Sequence, residues 1–237
     1  MGAATVNAVP MALVARFRAA VSLLGPFPAL AGVDIDVADG EVVVLQGANG
    51  AGKTTFLRAC AGLVAVTGGE AEVLGLHLRR VRPSVGRDVG LLGHRSLLYD
   101  DLGVADNVRF SARAAGRPGR GEVDEVLDRL GLAGRLATAP VGRLSAGQRR
   151  RADLAAVVVR RPRLWLLDEP HAGLDAAGRD LLDGLVREAV ASGATALVAS
   201  HEPERAAAMA TRVVTMAGGR LAASFPEPVA REPAHVA

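Results

Sequence analysis

The chain has 237 residues, of which 50% are hydrophobic, and its 28 basic and 25 acidic residues leave a formal net charge of +3. This length and composition predict a full hydrophobic core, either as one domain or as a core with an inserted subdomain, and exclude disorder for most of the chain. Because the arginines are scattered and aromatic residues make up only 3% of the chain, no nucleic-acid partner is expected.

Hydrophobic patterning predicts strands in the first and last thirds of the chain, with helices between them. The predicted strands lie at residues 11–17, 32–37, 41–46, 70–76, 163–169, 194–200 and 212–219. Helices are predicted at residues 104–116, 121–132, 145–161 and 176–193. Residues 1–10 and 221–237 offer no periodic apolar face and are predicted to be loose tails.

Apolar strands that alternate with helices are typical of a parallel sheet covered on both faces, so the predicted fold class is α/β. The helical middle, at about residues 95–160, is predicted to be a subdomain inserted in a single domain of residues 11–220. No window approaches 18 uninterrupted apolar residues, and the N-terminal stretch lacks the pattern of a secretory signal. The chain is therefore expected in the cytoplasm, or attached to a membrane through another protein.

A phosphate-binding motif follows the third predicted strand. The stretch VVVLQGANGAGKTTFLRACAGL, residues 42–63, is a buried strand, then G-x-x-x-x-G-K-T, then an amphipathic helix. Its glycines let successive backbone N–H groups point inward as an anion nest, to which the helix adds its positive end. We therefore expect the loop to bind a nucleoside triphosphate. The binding residues are Gly47, Ala48, Asn49, Gly50, Ala51, Gly52, Lys53, Thr54 and Thr55.

Lys53 is the only lysine of the chain. A compact point charge on a flexible stem fits inside a tight loop and reaches the β- and γ-phosphates, where the planar guanidinium group would be too bulky. Lys53 is accordingly a catalytic candidate, and the hydroxyl group of Thr54 is expected to bind Mg²⁺.

Two acids end the buried strand of residues 163–169. Side chains at the carboxyl edge of a parallel strand face the crevice where ligands bind. Asp168 is therefore expected to hold the magnesium ion. Glu169 is the candidate general base that orients and deprotonates the attacking water.

The stretch LSAGQ at 144–148 resembles the signature motif of the ATP-binding-cassette (ABC) ATPases. The same resemblance is carried by the loop at 47–54, by DEP at 168–170 and GLD at 173–175, and by His201, and it covers roughly residues 11–220. It implies an ATPase with a RecA-like P-loop core, an antiparallel β subdomain and an inserted α-helical subdomain, with ATP and Mg²⁺ as its ligands.

The signature motif is also expected to bind phosphate, because Ser145 and Gly147 open a helix and their N–H groups form a second anion site on another surface. The family resemblance implies an ATP-dependent head-to-tail homodimer, in which this site, Gln148 included, faces the partner's phosphate loop. It further implies that Asp175 lies in the turn crossing between protomers and that His201 contacts the γ-phosphate as a catalytic switch residue.

Two positions depart from the family pattern. His94 stands where the family usually has the glutamine that begins the loop linking the core to the helical insertion, and it is retained here as a binding candidate. The aromatic residue that usually stacks on adenine is missing, with Leu24 near its place and Phe27 close by. Adenine stacking should therefore be weak or supplied by Phe27.

The His94 loop carries a narrower resemblance. GLLGHRSLLYDDLGVADNVRF, residues 90–110, and the alanine in LSAGQ resemble the haem-exporter ATPases of bacterial cytochrome c maturation. This implies membrane permease subunits as partners and a peripheral location on the cytoplasmic side of the bacterial inner membrane. The alternatives are the ATPase of another small exporter, for a drug, lipid or polysaccharide, and a soluble ABC ATPase of iron–sulfur assembly.

The remaining expectations concern single residues. Residues near 95–107, including Leu97, Leu98 and Tyr99, form either the wall of a groove for the membrane partner or ordinary subdomain core. Trp165 and the lone Cys60 are expected to be buried, and the arginines at 149–151 are expected to form a solvated helix face. The simplest expectation for the other histidines is surface exposure, namely His77, His171 and His235.

Overall fold

The computed structural model of the chain describes residues 12–79, 84–116 and 120–222. Within these ranges the strands are β1 (Leu13–Leu24), β2 (Phe27–Ala38), β3 (Val42–Gln46), β4 (Gly68–Val73), β5 (Leu76–His77), β6 (Val89–Leu92), β7 (Leu164–Asp168), β8 (Thr195–Ala199), β9 (Arg212–Ala217) and β10 (Arg220–Leu221). The α-helices are α1 (Lys53–Cys60), α2 (Val104–Ala114), α3 (Arg120–Arg129), α4 (Arg135–Thr138), α5 (Ala146–Val158), α6 (Ala176–Ala191) and α7 (Pro203–Ala207).

A six-stranded sheet forms the centre of the molecule, in the order β10-β9-β3-β8-β7-β6. All of its pairings are parallel except that of β9 with β10. The residues of β7 and β8 are all buried, which is expected for parallel strands covered on both faces. The predicted parallel sheet is confirmed, and it places the carboxyl ends of β3, β8 and β7 side by side.

A second sheet is antiparallel and has the order β2-β1-β4-β5. Strands β1 and β2 form a long hairpin around a turn at residues 25 and 26, and β4 pairs with the other edge of β1. This sheet is the antiparallel β subdomain implied by the family resemblance.

Apolar side chains form two cores, one on each side of the parallel sheet. The first packs the antiparallel sheet and α1 against it, with Phe17 and Phe56 in tilted contact at a centroid distance of 5.0 Å. The second packs the helical middle and α6 against the other face, with Trp165 buried in it. The predicted burial of Trp165 is confirmed.

The structure corrects the strand prediction in several places. Strand β1 extends to Leu24, β2 begins at Phe27, and β10 was not predicted. Strand β6 falls in a stretch expected to be a loop. It is only four residues long and contains Gly90, where a Cβ atom would lie 2.6 Å from the Cγ of Pro162. The segment expected as one strand at 70–76 is instead the hairpin β4–β5, because Leu74 and Gly75 both take positive φ and turn the chain.

The helical middle contains α2, α3 and α5, as its patterning predicts, and also the short helix α4, which was not predicted. Strand β10 ends at Leu221, one residue beyond the predicted domain end. The domain limits at residues 11 and 220 stay a prediction, because residues 1–11 and 223–237 lie outside the described part of the chain.

Cys60 ends α1 and is fully buried in the first core. Burial raises the pKa of its thiol far above the ordinary value, and only the thiolate reacts readily. In the native protein at pH 8 we therefore expect no labelling by iodoacetamide over minutes, and complete labelling after denaturation in urea, measured by intact mass. Rapid labelling of native protein would contradict this packing of α1.

Candidate nucleotide-binding and catalytic site

The loop between β3 and α1 is held open by three glycines with positive φ. Gly47, Gly50 and Gly52 have φ of 142°, 79° and 109°. A Cβ atom would lie 2.1 Å from the carbonyl oxygen of Met216 at Gly47, and 2.6 Å from that of Ala29 at Gly52. The loop thus needs glycine both for its conformation and for its close contact with neighbouring backbone. No side chain caps α1, so its first N–H groups remain available to an anion.

The Lys53 side chain curls back over this loop. It is 7% exposed, and its Nζ donates to the carbonyl oxygens of Gly47 at 2.7 Å and Ala48 at 3.1 Å. Among the described residues, no carboxylate forms a salt bridge with it. A buried ammonium group that is satisfied only by carbonyl dipoles is suited to bind phosphate oxygens.

Strand β7 brings its terminal carboxylate against the start of α1. The Thr54 hydroxyl lies 3.1 Å and 2.9 Å from the two carboxylate oxygens of Asp168, whose side chain is buried. A hydroxyl and a carboxylate are oxygen ligands of the kind that Mg²⁺ prefers. Thr54 and Asp168 therefore fit a magnesium site beside the phosphate loop.

Glu169 follows β7 with φ of +48°, an unusual left-handed conformation for a residue that is not glycine. Its Oε2 accepts a hydrogen bond from the backbone N–H of His201 at 2.9 Å, and its Oε1 lies 3.2 Å from the His201 Nε2. Since His201 lies just after β8, two neighbouring strands of the parallel sheet place these side chains together. This is the geometry of a carboxylate base oriented by a second polar group.

One cavity, of about 700 Å³, connects these features. Of the predicted site residues, it is lined by Asn49, Gly50, Ala51, Gly52, Lys53, Thr54, Thr55, His94, Asp168, Glu169 and His201. Leu24 lies on the same wall, whereas Phe27 is 74% exposed and does not line the cavity. The structure thus brings most of the predicted site residues together around one space.

Six predicted binding residues do not line this cavity. Two of them, Gly47 and Ala48, belong to the phosphate loop and accept hydrogen bonds from the Lys53 Nζ, and the other four lie at the starts of α5 and α6. Ser145 caps α5 through a capping box: its Oγ accepts from the Gln148 N–H at 3.2 Å, and the Gln148 Oε1 accepts from the Ser145 N–H at 3.0 Å. Gly147 lies in the same first turn. Asp175 caps α6, and the N–H of Gly178 together with Arg151 holds the pKa of the Asp175 carboxyl below its usual range.

The sequence prediction was wrong for two buried residues near the site. Arg150, expected on a solvated helix face, is buried and donates to the backbone at the end of β7. His171, expected at the surface, is 1% exposed and lines the nucleotide cavity, with its Nε2 2.7 Å from the Asp183 Oδ1. His77 is exposed as expected, and His235 lies outside the described residues.

A strand–loop–helix motif whose glycines expose the backbone, beside a carboxylate at the end of a parallel strand, defines a P-loop nucleotide hydrolase. The comparisons with known proteins narrow this class. The family model "ABC transporter" matches residues 30–172. The chain belongs to the family of ABC transporter ATP-binding subunits, and it is an ATPase of that family.

The protein of Bordetella bronchiseptica called cytochrome c biogenesis ATP-binding export protein CcmA is 41% identical over 170 residues, which cover 71% of this chain and 75% of that protein. An Fe(3+) ions import ATP-binding protein, FbpC of Streptomyces avermitilis, is 38% identical over 227 residues, 94% of this chain and 65% of that protein. A solved ATP-binding subunit of an ABC transporter has a TM-score of 0.82 at 25% identity, covering 89% and 88% of the two chains. The predicted fold class is confirmed.

Replacement of Gly52 by alanine should abolish nucleotide binding. The added methyl group meets the Ala29 carbonyl oxygen at 2.6 Å, in a backbone conformation that L residues avoid. We expect the affinity for a fluorescent ATP analogue to fall by at least about 10²-fold, the consequence of misplacing loop groups by roughly 1 Å. Gly184→Ala on α6, where a Cβ atom meets nothing within 4 Å, is the control and should bind normally. Unchanged affinity in Gly52→Ala would contradict the role of this loop.

Proposed function

We propose that this chain is the ATP-hydrolysing subunit of a bacterial haem exporter that serves cytochrome c biogenesis. It drives membrane permease subunits by closing as a head-to-tail homodimer on ATP. The ATP-driven part of this proposal is supported by one observation: the phosphate loop and the Glu169–His201 pair line the same cavity. The helix start at Ser145 does not line this cavity.

Each residue of the cavity then has a role. Lys53 leaves its two carbonyl partners and binds the β- and γ-phosphates. Thr54 and Asp168 would hold Mg²⁺, which would neutralise charge on the phosphoryl group. Glu169 accepts the proton of the attacking water, and His201, already 3.2 Å from it, orients the carboxylate and contacts the γ-phosphate. His94 lies on the cavity wall at the position of the family's usual glutamine.

The proposed dimer follows from the separation of the two anion-binding helix starts. The Ser145 Oγ accepts one hydrogen bond from its own helix, which leaves its hydroxyl proton free to be donated. Ser145 is exposed and is not part of the cavity wall, so a second chain can bring its nucleotide to it. A solved dimeric ATP-binding cassette in a post-hydrolysis state, bound to ADP and Pi, has a TM-score of 0.81 to this chain at 23% identity and covers 87% of it.

An apolar patch on the helical side of the molecule supports a membrane partner. Leu97 and Tyr99 are 72% and 55% exposed, and the Tyr99 ring meets the edge of the exposed Phe110 ring at 5.6 Å. These three residues line a cleft of about 250 Å³. Leu98 lines the same cleft and is partly buried against the second core. Large exposed apolar residues that cluster in this way favour the groove over ordinary subdomain core.

A peripheral location on the cytoplasmic side of the inner membrane follows from this assignment. Among the described residues, no helix is both long enough and apolar enough to cross a bilayer. The permease subunits would supply the membrane-spanning part.

Haem export is favoured over other cargo by the His94 loop and by relatives such as the CcmA 1 protein of Salmonella paratyphi A, 39% identical over 189 residues, which are 79% of this chain and 89% of that protein. The alternative is another ABC subunit, whether a small exporter for a drug, lipid or polysaccharide or a soluble ATPase of iron–sulfur assembly.

Glu169→Gln tests the catalytic assignment and the dimer together. The amide keeps the shape of the side chain but cannot accept the proton, so kcat should fall by about 10² to 10⁴-fold while ATP binding is retained. With hydrolysis blocked, saturating Mg-ATP should convert the variant from monomer to dimer in light scattering, and ADP should not. Normal turnover would contradict the assignment of Glu169 as the general base. If the variant stays monomeric with Mg-ATP, both alone and with the co-purified membrane partner, the proposed dimer is contradicted.

Affinity purification of the tagged chain from detergent-solubilised membranes tests the partner. We expect mass spectrometry to identify permease subunits of cytochrome c biogenesis. Tyr99→Asp should reduce their recovery at least about tenfold because it puts a charge into a desolvated contact. Asp128→Asn, an exposed position on α3, should leave recovery unchanged. Recovery of permeases from a different transport system would contradict haem export and indicate the cargo of that system. Recovery of soluble partners alone would favour iron–sulfur assembly.

A further inference from the structure

Arg150 joins the start of α5 to the backbone of the catalytic edge. Its Nη2 donates to the carbonyl oxygens of Glu169 at 2.6 Å and Asp168 at 3.1 Å, and its Nε contacts that of Pro170 at 3.4 Å. Its Nη1 donates to the carbonyl oxygen of Gly93 at 2.6 Å. One planar guanidinium group therefore contacts three consecutive residues at the end of β7 and the residue before His94.

Placing this charge in the interior has a cost. The Arg150 side chain is buried, and burial lowers the pKa of its guanidinium group, with nearby Asp153, Asp168 and Glu169 opposing that shift. Within the described ranges, no carboxylate forms a salt bridge with it, so carbonyl dipoles satisfy its donors. These contacts tie Arg150 to the backbone at the end of β7 and to Gly93 and not to any acidic side chain among the described residues.

The contact with Glu169 falls where the backbone is strained. Glu169 has φ of +48°, a conformation that persists only when its surroundings impose it. The hydrogen bond from the Arg150 Nη2 to the Glu169 carbonyl oxygen is among the shortest that Arg150 makes. Arg150 therefore binds the backbone of the same residue whose carboxylate contacts His201.

Helix α5 also binds the loop that carries His94. One turn beyond Arg150, Asp153 accepts a hydrogen bond from the Ser96 hydroxyl at 2.7 Å, while Arg150 holds Gly93. The same helix begins at the Ser145 cap. Helix α5 therefore connects the Ser145 cap, through Arg150 and Asp153, with the backbone of Glu169 and with the loop that carries His94.

We propose that Arg150 is a positioning residue for hydrolysis, which holds Glu169 in its reactive conformation and links the Ser145 helix start of one nucleotide site to the catalytic carboxylate of the other. The hydrolytic part requires only the ATPase activity of the chain, whereas the link between sites rests on the dimer of the proposed function. The conformation of Glu169 then depends on where α5 lies.

Arg150→Met tests this role, since methionine fills much of the volume but donates no hydrogen bonds. We expect kcat for ATP to fall by about 10²-fold, the effect of misplacing a catalytic group by roughly 1 Å, with KM unchanged because the phosphate loop is untouched. Arg150→Lys, which retains the charge and some of the donors, should recover part of kcat. Arg149→Met is the matched control, because Arg149 precedes it on α5 and forms a salt bridge with the exposed Asp100; its kcat should be normal.

The double variant Arg150→Met/Glu169→Gln separates the two proposals. If Arg150 acts on the conformation of Glu169, ATP-dependent dimerisation should persist in the double variant as in Glu169→Gln alone. Failure of Glu169→Gln itself to dimerise would overturn the dimer and the link between sites, but leave the kcat result for Arg150 intact. Normal kcat in Arg150→Met, or equal loss of kcat and of thermal stability in the Met and Lys variants, would overturn the positioning role. If Arg150→Met does not fold, the kcat and KM of Arg150→Lys decide between these outcomes.

Discussion

The order of the parallel strands is the constraint on which the site depends. Strand β8 lies between β3 and β7, so the phosphate loop after β3, His201 after β8 and the acids ending β7 all emerge at one edge. These strands are buried, and their apolar side chains pack into the two hydrophobic cores on either side of the sheet. The hydrophobic cores therefore fix distances such as the 3.2 Å between Glu169 and His201.

Much of this arrangement could be predicted from the sequence, because the residues concerned belong to short sequence patterns that can be recognised without the structure. The glycines around Lys53, the acids after an apolar strand and Ser145 at the start of a helix are local patterns with local physical causes. The structure places the phosphate loop and the acids on one cavity and shows the capping box. Their assigned roles in binding and hydrolysis stay predictions.

The errors have a different origin, since they concern contacts made over long distances in the chain. Arg150 has charged neighbours on both sides in the sequence, which is why a solvated position was predicted. Its burial depends on contacts with Gly93 and with the end of β7, which are distant in sequence. The buried His171 forms a hydrogen bond with Asp183, which lies twelve residues later on α6. Asp183 also forms a salt bridge with Arg205 on α7. Strand β6 is too short to show periodicity, and its pairing with β7 defines it.

The burial of Lys53 has a chemical consequence for the whole molecule. Because it is the only lysine in the chain, every other side-chain cation that is permanently charged is a guanidinium group, and the one ε-amine lies beneath its own loop. Acylating reagents and amine cross-linkers thus find no lysine on the outer surface, and a bound triphosphate would shield the single ε-amine from them. Acetylation of this one nitrogen would remove the only lysine charge of the chain and leave every guanidinium group charged.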